Sequence, residues 1–518
     1  MAVKINFNAE AAKTHTALIY NERLMGKSLL RLSTGYRILN ASDDAAGLFI
    51  ADMLGLVAAA LEQGNANIQT GISALQIAES AAGQIYTKLQ EIYIRAQRAA
   101  NDINDSNARA ALQQEINNFI DAINKIGTDT EYNGIKLLDG TFTNKYIHYG
   151  ARKDQTVLIS VSSLKASELG AQMVTGDGRK TSGTGTISSS AGDKFLLTPN
   201  EYLKVAEVSV LSVSSGTYLV DAAEAAKNIN TNTTLNSLGI EATAKNVSTP
   251  TDGFSSIVTI VSGNNVTISN LTLNFYIGQA NVSSPSFSVT GLSVNTTLEE
   301  LVAKINSAAS ANNKPVTASA ENGKLVLRTD NGETIGIEVS LNVSGTSPSV
   351  KVNLNQLLEG AGSETISSAG SHTFHAIKVG TLTIAGLNSF VVSENGIDIV
   401  GESGTAESSI ESTYKNLTAI NVSTNTGAEE ALLVVTKAMQ KVDTIRAQIG
   451  ATMNNLQSIF DSQKVAYDNT KEAESVIRNT DYAKEMSEFV TYQIRMQATV
   501  AMLAQANTLP QLVLQLMR

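Results

Sequence analysis

From Leu54 to Ala99 an apolar or small residue keeps returning on a seven-residue period: Leu54, Val57, Leu61, Ile68, Leu75, Ala78, Ala82, Ile85, Leu89, Ile92, Ala96 and Ala99. Gly64 and Gly71 fill the remaining positions of the series and are small enough to let a partner helix approach closely. A seam held in phase for this long predicts one extended, coiled-coil-like helix, and such a seam needs a partner. Val435, Val442, Ile449 and Leu456 repeat the period near the other end, with Ala438, Ile445, Thr452 and Ile459 at alternate positions. Pro199, Pro250, Pro285, Pro315 and Pro348 all lie in the middle, which leaves 1–198 and 349–509 free of the residue that most disrupts a helix. The simplest solution packs the two flanks into one rod-like bundle.

Smaller elements follow the same logic. Leu112, Ile116, Phe119, Ile123 and Ile126 predict a second helix around 106–127, and "YNGIKLLDG" places Asn133-Gly134 and Asp139-Gly140 as turns about a short strand. At the extreme ends Ala11, Leu18, Met25, Leu29 and Leu32 form one stripe, and Phe489, Tyr492, Met496, Val500, Leu503 and Ala506 another. The tail adds Leu509, Leu512, Leu514 and Leu516; no acidic residue follows Glu488, and only Arg495 and Arg518 are basic. One chain offers these helices little cover except each other. Both ends are therefore expected to be largely disordered alone and to fold into helices when copies assemble, with Pro510 breaking or kinking the last one.

The middle differs in kind. It is rich in Ser, Thr, Gly and Asn, with alternating runs such as "SIVTIVSG" and "KLVLRTD", and residues 253–298 carry no charged side chain. Short β-branched strands between polar turns are the natural reading. "KNIN" at 227–230 answers "AKIN" at 303–306, and "IEATAKN" at 240–246 answers "VTASAEN" at 316–322, both at an offset of 76 residues. Each unit predicts a short helix ending near Asn230 or Asn306, followed by a β-hairpin: a duplicated βα-type module. The fold class is thus α+β, a long helical bundle from both flanks with an inserted β-rich region. The expected division is 1–42 with 477–518, 43–176 with 405–476, and 177–404 as the insertion.

A net charge of −10 argues against nucleic-acid binding, and the absence of Cys removes disulfides and thiolate chemistry. The start lacks the apolar core of a secretory signal, and no run of ~18 consecutive apolar residues suggests membrane insertion. His372 and His375 have ligand-like spacing, but in a strand they face opposite sides, and the four histidines read as solvated. No nucleophile, phosphate-loop or metalloprotease motif occurs, so no catalytic, cofactor or metal residue is assigned. Asp43-Asp44 reads as a helix cap together with Ser42, not as an acid–base pair. Eight Asn-x-Ser/Thr sequons, from Asn246 to Asn421, are weak glycosylation signals in so polar a segment.

"RLSTGYRILNASDDAAGLFIADML", residues 31–54, resembles the signature of bacterial flagellins. There Ser33 and Gly35 belong to the turn between two helices, and Ser42, Asp43, Asp44, Ala45, Ala46 and Gly47 to the start of the second. "NANIQTGISALQIAESA", "YNGIKLLDG", "KVDTIRAQIGATMNNL", "RNTDYAKEMSEF" and "LAQANTLPQLVLQLMR" continue the likeness in order. The resemblance implies a subunit that polymerises into the extracellular, tubular flagellar filament of swimming bacteria. Its terminal helices would form the inner tube, the paired long helices a shell, and the insertion the outside. It implies contacts with other copies and with the flagellar export chaperone through Leu18, Met25, Leu29, Leu32, Phe489, Tyr492, Met496, Val500, Leu503, Leu509, Leu512, Leu514 and Leu516. Further implied partners are the export apparatus and the cap and hook-associated proteins, with type III export and no cleaved signal.

One segment departs from the family. Where many flagellins carry a motif recognised by the animal Toll-like flagellin receptor, this chain has Leu89, Gln90, Glu91, Ile92, Tyr93, Ile94, Arg95 and Ala96. Two arginines and a glutamate of the motif are replaced by Glu91, Tyr93 and Ile94, which predicts weak or no recognition. A hook–filament junction protein, which shares flagellin-like ends, is the alternative reading; a glycan-binding module displayed by the insertion is a third.

Overall fold

The computed structural model describes residues 7–516 apart from 102, 191–192 and 402–407; for 189–190, 193 and 509–516 it describes the backbone alone. The helices among the described residues are α1 Ala9–Thr34, α2 Ala45–Ala99, α3 Ser106–Asp129, α4 Ile187–Ser190, α5 Ala222–Thr231, α6 Thr233–Ser237, α7 Leu298–Ala311, α8 Asn425–Arg478 and α9 Tyr482–Leu516. The two seven-residue seams lie on α2 and α8. These run antiparallel, since Arg446 meets Glu79 at 2.8 Å and Arg478 meets Asp52 at 3.3 Å. Ile68, Leu75, Ile85 and Leu89 of α2 share one buried cluster with Val435, Val442, Ile449 and Leu456 of α8 and with Ile116 and Ile123 of α3. Each such side chain contributes about 1.5–3 kcal/mol on full burial.

The glycines of the seam admit a different partner from the one the spacing suggested. A Cβ at Gly64 would stand 1.9 Å from Tyr149 O, and one at Gly71 would stand 2.0 Å from Ile147 Cδ1. The hairpin of strands Lys145–His148 and Thr156–Ile159 therefore presses on α2 at these two notches, not another helix. Asn133 and Gly134 take φ of 50° and 76° in the turn between Glu131–Tyr132 and Ile135–Lys136, as Asn-Gly favours.

Two more clusters fill the middle. One gathers α5 with strands Tyr202–Val205, Thr381–Gly386 and Val391–Asn395. The other gathers α7 with a long antiparallel pair, Val258–Ile277 and Ile335–Val352, where Phe275 stacks on Phe287 at 4.8 Å. The first strand is largely exposed over 259–270, and the pair is broken there by register shifts, with Gly263 and Gly345 at φ of 126° and 132°. Such irregularity blunts an uncharged edge that a neighbouring strand could otherwise join.

The repeat is structural. Asp221 and Thr297, 76 residues apart, cap α5 and α7 by accepting from Glu224 N and Glu300 N. Asn230 Nδ2 donates to Ala242 O at 2.7 Å and Asn230 Oδ1 accepts from Ala242 N at 2.9 Å. Asn306 does the same with Ala318, at 2.8 and 2.7 Å. The shared Asn thus stitches each helix to the strand after it. Two details differ from the sequence reading. Only the second copy closes as a hairpin, Val316–Glu321 with Lys324–Thr329; in the first, Glu241–Lys245 pairs with Thr381–Gly386 and Val247–Ser248 pairs with Lys324–Thr329. And α7 runs to Ala311, five residues past Asn306.

Candidate assembly surface

Helix α1 starts at Asn8, whose Oδ1 accepts from Ala11 N at 3.0 Å, and ends at Gly35, whose φ of 76° a residue with a Cβ adopts at a cost. Ser33 Oγ turns back to Leu30 O at 2.9 Å. Past this elbow, Asp44 caps α2 by accepting from Gly47 N at 2.9 Å. A Cβ on Gly47 would meet Asp44 Oδ2 at 2.4 Å, which explains a glycine in the first turn. Asp43 accepts from Leu39 N and Asn40 N and pairs with Lys27 at 2.6 Å. That hydrogen-bonded pairing with Lys27 is the main reason its carboxyl falls to about 2. Ala45 and Ala46 open α2 on its exposed side, and Ser42 lies exposed in the turn, with Asp44 alone acting as the cap.

A second strut closes the elbow. Arg37 N donates to Arg478 O at 2.8 Å, and Thr480 N to Gly35 O at 2.8 Å, around a bridge between Tyr36 and Asn479. The inner pair, α1 with α9, is thereby joined to the α2–α8 rod at the break between Arg478 and Tyr482.

The inner pair is held together differently from the rod. Among the described side chains, Ser28 is the one buried residue of α1, and Glu485, Thr499 and Ala506 are those of α9. Every one of them lies in a cross-helix contact. Ser28 Oγ donates to Glu485 O at 3.3 Å, Asn21 Nδ2 to Thr499 Oγ1 at 3.3 Å, Asn8 Nδ2 to Ala506 O at 2.9 Å, and Tyr482 Oη to Leu32 O. Leu18, Met25, Leu32, Phe489, Tyr492, Met496 and Leu503 are half-buried beside these links, while Leu29 and Val500 are exposed. The apolar stripes alone did not reveal this polar seam. Asn21 and Ser28, seven residues apart within the apolar stripe of α1, are its signal, because a polar residue on a seam fixes register.

Large apolar groups remain outside. Ile19, Tyr20 and Leu30 on α1, Met486, Ile494 and Met502 on α9, and Phe49, Ile50, Met53 and Leu56 at the start of α2 are exposed. By length and composition α2 has enough apolar residues to cross a membrane, although the longest unbroken run is short; here it packs on α3 and α8. Pro510 does not end α9, which continues to Leu516. The side chains of Leu509, Leu512, Leu514 and Leu516 lie outside the described residues.

On α2 Leu89, Ile92 and Ala96 are buried, whereas Gln90, Tyr93 and Ile94 face outward. Arg95 binds Glu115 at 2.9 Å and Glu91, and covers the Phe119 ring at 4.9 Å. Among the described residues no group of three or more potential ligands converges on a metal position. His375 corrects the solvated reading. It is 1% exposed, with Nδ1 3.2 Å from Gly185 O, and burial pulls its pKa down. Asn246 is buried too, its amide donating to Glu333 O and Lys378 O, so that sequon is closed to modification.

Residues 5–143 match the family description "Bacterial flagellin N-terminal helical region", and residues 432–517 match "Bacterial flagellin C-terminal helical region". The chain is 48% identical over 537 residues to the flagellin of Aquifex aeolicus, covering all of both chains. The chain belongs to the bacterial flagellin family. The flagellin of Aquifex pyrophilus is 47% identical and flagellin A of Helicobacter pylori 29%, again over the whole of both chains. Among solved structures, FliC from Burkholderia pseudomallei overlaps with a TM-score of 0.29 at 18% identity, covering 74% of this chain and 99% of that one, too slight a likeness to carry argument. As a flagellin, the chain is a structural subunit of the helical filament of motility, outside the cell.

Proposed function

We propose that the inner pair α1–α9 is the polymerising element and that its exposed apolar faces meet neighbouring copies. The observation that carries this reading is the division of labour across the seam. Polar links and half-buried apolar side chains share the contact between the two helices, and a second set of large apolar groups stays outside, where one chain has nothing to cover them. Contacts that repeat head to tail without closing generate a filament. Leu509, Leu512, Leu514 and Leu516 extend this surface, and before assembly the export chaperone shields it. The chain leaves the cell unfolded through the growing structure without signal cleavage, meets the cap and hook-associated proteins at its ends, and performs no catalysis. It inserts into no membrane and binds no nucleic acid.

Seeded growth followed by electron microscopy tests this. Deleting 503–518 should abolish long tubes while leaving the thermal transition of the insertion in place; normal growth of the shortened chain overturns the reading.

We also infer weak or absent activation of the Toll-like flagellin receptor. Gln90, Glu91, Tyr93 and Ile94 present a surface lacking the motif's charges, and Arg95 is engaged by Glu91 and Glu115. Potency equal to motif-bearing flagellins in reporter cells overturns it.

A further inference from the structure

One link of the inner seam originates in α9 itself. Pro510 lies inside α9. A proline has no N–H to give the carbonyl four residues earlier, which here is Ala506 O. Asn8 Nδ2 donates to that carbonyl at 2.9 Å. The other end of the same amide works locally, since Asn8 Oδ1 accepts from Ala11 N at 3.0 Å and caps α1. Each helix therefore has a backbone group that its own chain geometry leaves short of a partner, and a single side chain serves both. Ala506 is buried, so a bare carbonyl there lacks water as a substitute. Sliding one helix along the other by a single residue moves the amide about 1.5 Å and breaks the bond.

We propose that Asn8 is a register-setting residue for filament assembly. By occupying the carbonyl that Pro510 leaves free, it fixes α1 against α9, so that their outward apolar faces present one pattern to every neighbouring copy. Asn21–Thr499 and Ser28–Glu485 hold the same register farther along, so losing Asn8 weakens assembly without abolishing it. The inference rests on the assembly role of those faces.

The test is a cycle of four full-length chains: native, Asn8→Ser, Pro510→Ala and the double substitution. Serine keeps a neutral capping oxygen, but its side chain is too short to reach Ala506 O. In seeded growth Asn8→Ser should raise the monomer concentration at which growth stops by about fivefold. Pro510→Ala restores an intrahelical donor to Ala506 O, and on that background Asn8→Ser should cost under about twofold. A ratio of about 2.5-fold or more between the two effects supports the proposal, and a smaller ratio overturns it, leaving Asn8 as a cap alone. Labelled chains incorporated at trace level into native filaments give the same ratio where a variant does not grow by itself. If the chain lacking 503–518 grows normally, the assembly reading fails; if it does not grow and the ratio is small, the register inference alone fails.

Discussion

Lys437 Nζ, on the rod helix α8, lies 3.1 Å from Glu241 Oε1 on a strand of the insertion, and Lys437 is only 1% exposed. Lys245 of the insertion pairs with Glu429 of α8 at 2.8 Å, with the charges exchanged between strand and rod. The insertion is thus seated on the rod by ion pairs as well as by the apolar contact of Ala385 with the rod cluster. Breaking a buried pair from one side costs more than replacing the charge by an apolar side chain of similar shape. Glu241→Ala, which strands Lys437, is expected to lower stability by about 2 kcal/mol, and Lys437→Met by under about 1 kcal/mol. Urea unfolding followed by circular dichroism measures both; equal losses would show that the pair is not what makes Lys437 tolerable there.

The duplicated Asn gives a prediction that applies twice. Asn306→Ala removes both bonds to Ala318 and leaves its N–H and C=O short of partners, a loss of about 2–3 kcal/mol. Asn306→Asp keeps the acceptor for Ala318 N and should cost about half as much. Asn230→Ala at the first copy should match Asn306→Ala. Exchange of the Ala242 and Ala318 amides should quicken in step with the measured loss. Unchanged exchange at either site counts against the stitch.

These residues also show why the flanks were legible and the middle only partly so. Seven-residue spacing from Leu61 to Leu89 and from Val435 to Leu456 states which face of each helix is buried, and burial follows it. Local pattern also marks caps, so Asp44 was found. Pairing between distant strands leaves no such trace: Glu241 faces Ala385, and nothing in "IEATAKN" announces it. The notches at Gly64 and Gly71 declared a close approach but not what approaches. On the inner pair the apolar stripes drew attention away from Asn8, Asn21 and Ser28, because a stripe signals burial and a lone polar residue within it signals register.

Acidity should strengthen the insertion. Burial raises the Glu394 carboxyl to about 7 despite hydrogen bonds from Ile399 N and Val400 N, and burial raises Asp221 to about 6. Both lie above the ordinary carboxylate range, so the folded state binds protons that the unfolded chain has already released. This stability is fully present below the ordinary values of 3.8 and 4.5 and is lost as pH rises from there through about 6 for Asp221 and about 7 for Glu394. His375 opposes this within the same window, because burial lowers its pKa and the unfolded chain takes up that proton first as pH falls below the ordinary value of 6.5. Asp43 opposes only as pH falls from the ordinary 3.8 through about 2. The melting midpoint of the insertion should be roughly 5 °C higher at pH 5 than at pH 8. Glu394→Gln, which keeps the acceptor for both amides, should remove a large part of that difference; an unchanged slope would mean that other groups carry it.

The inner pair should be the least protected part of the lone subunit. Its contact buries Ser28, Glu485, Thr499 and Ala506, and a net gain of about 1 kcal/mol per hydrogen bond falls far short of the ordering cost of two long helices. The rod differs, since Ile85, Leu89 and Ile92 are fully buried on one helix alone. Amides of 9–34 and 482–508 should therefore exchange within seconds in the monomer, while those of Leu75–Ala96 persist for hours. On assembly, neighbours cover Ile19, Tyr20, Leu30, Met486, Ile494 and Met502, and the same terminal amides should slow by about 100-fold or more. Mass-spectrometric exchange on monomer and filament decides the matter. Slow exchange of the termini in the free subunit would place their stability within one chain and remove the apolar faces as the source of polymerisation.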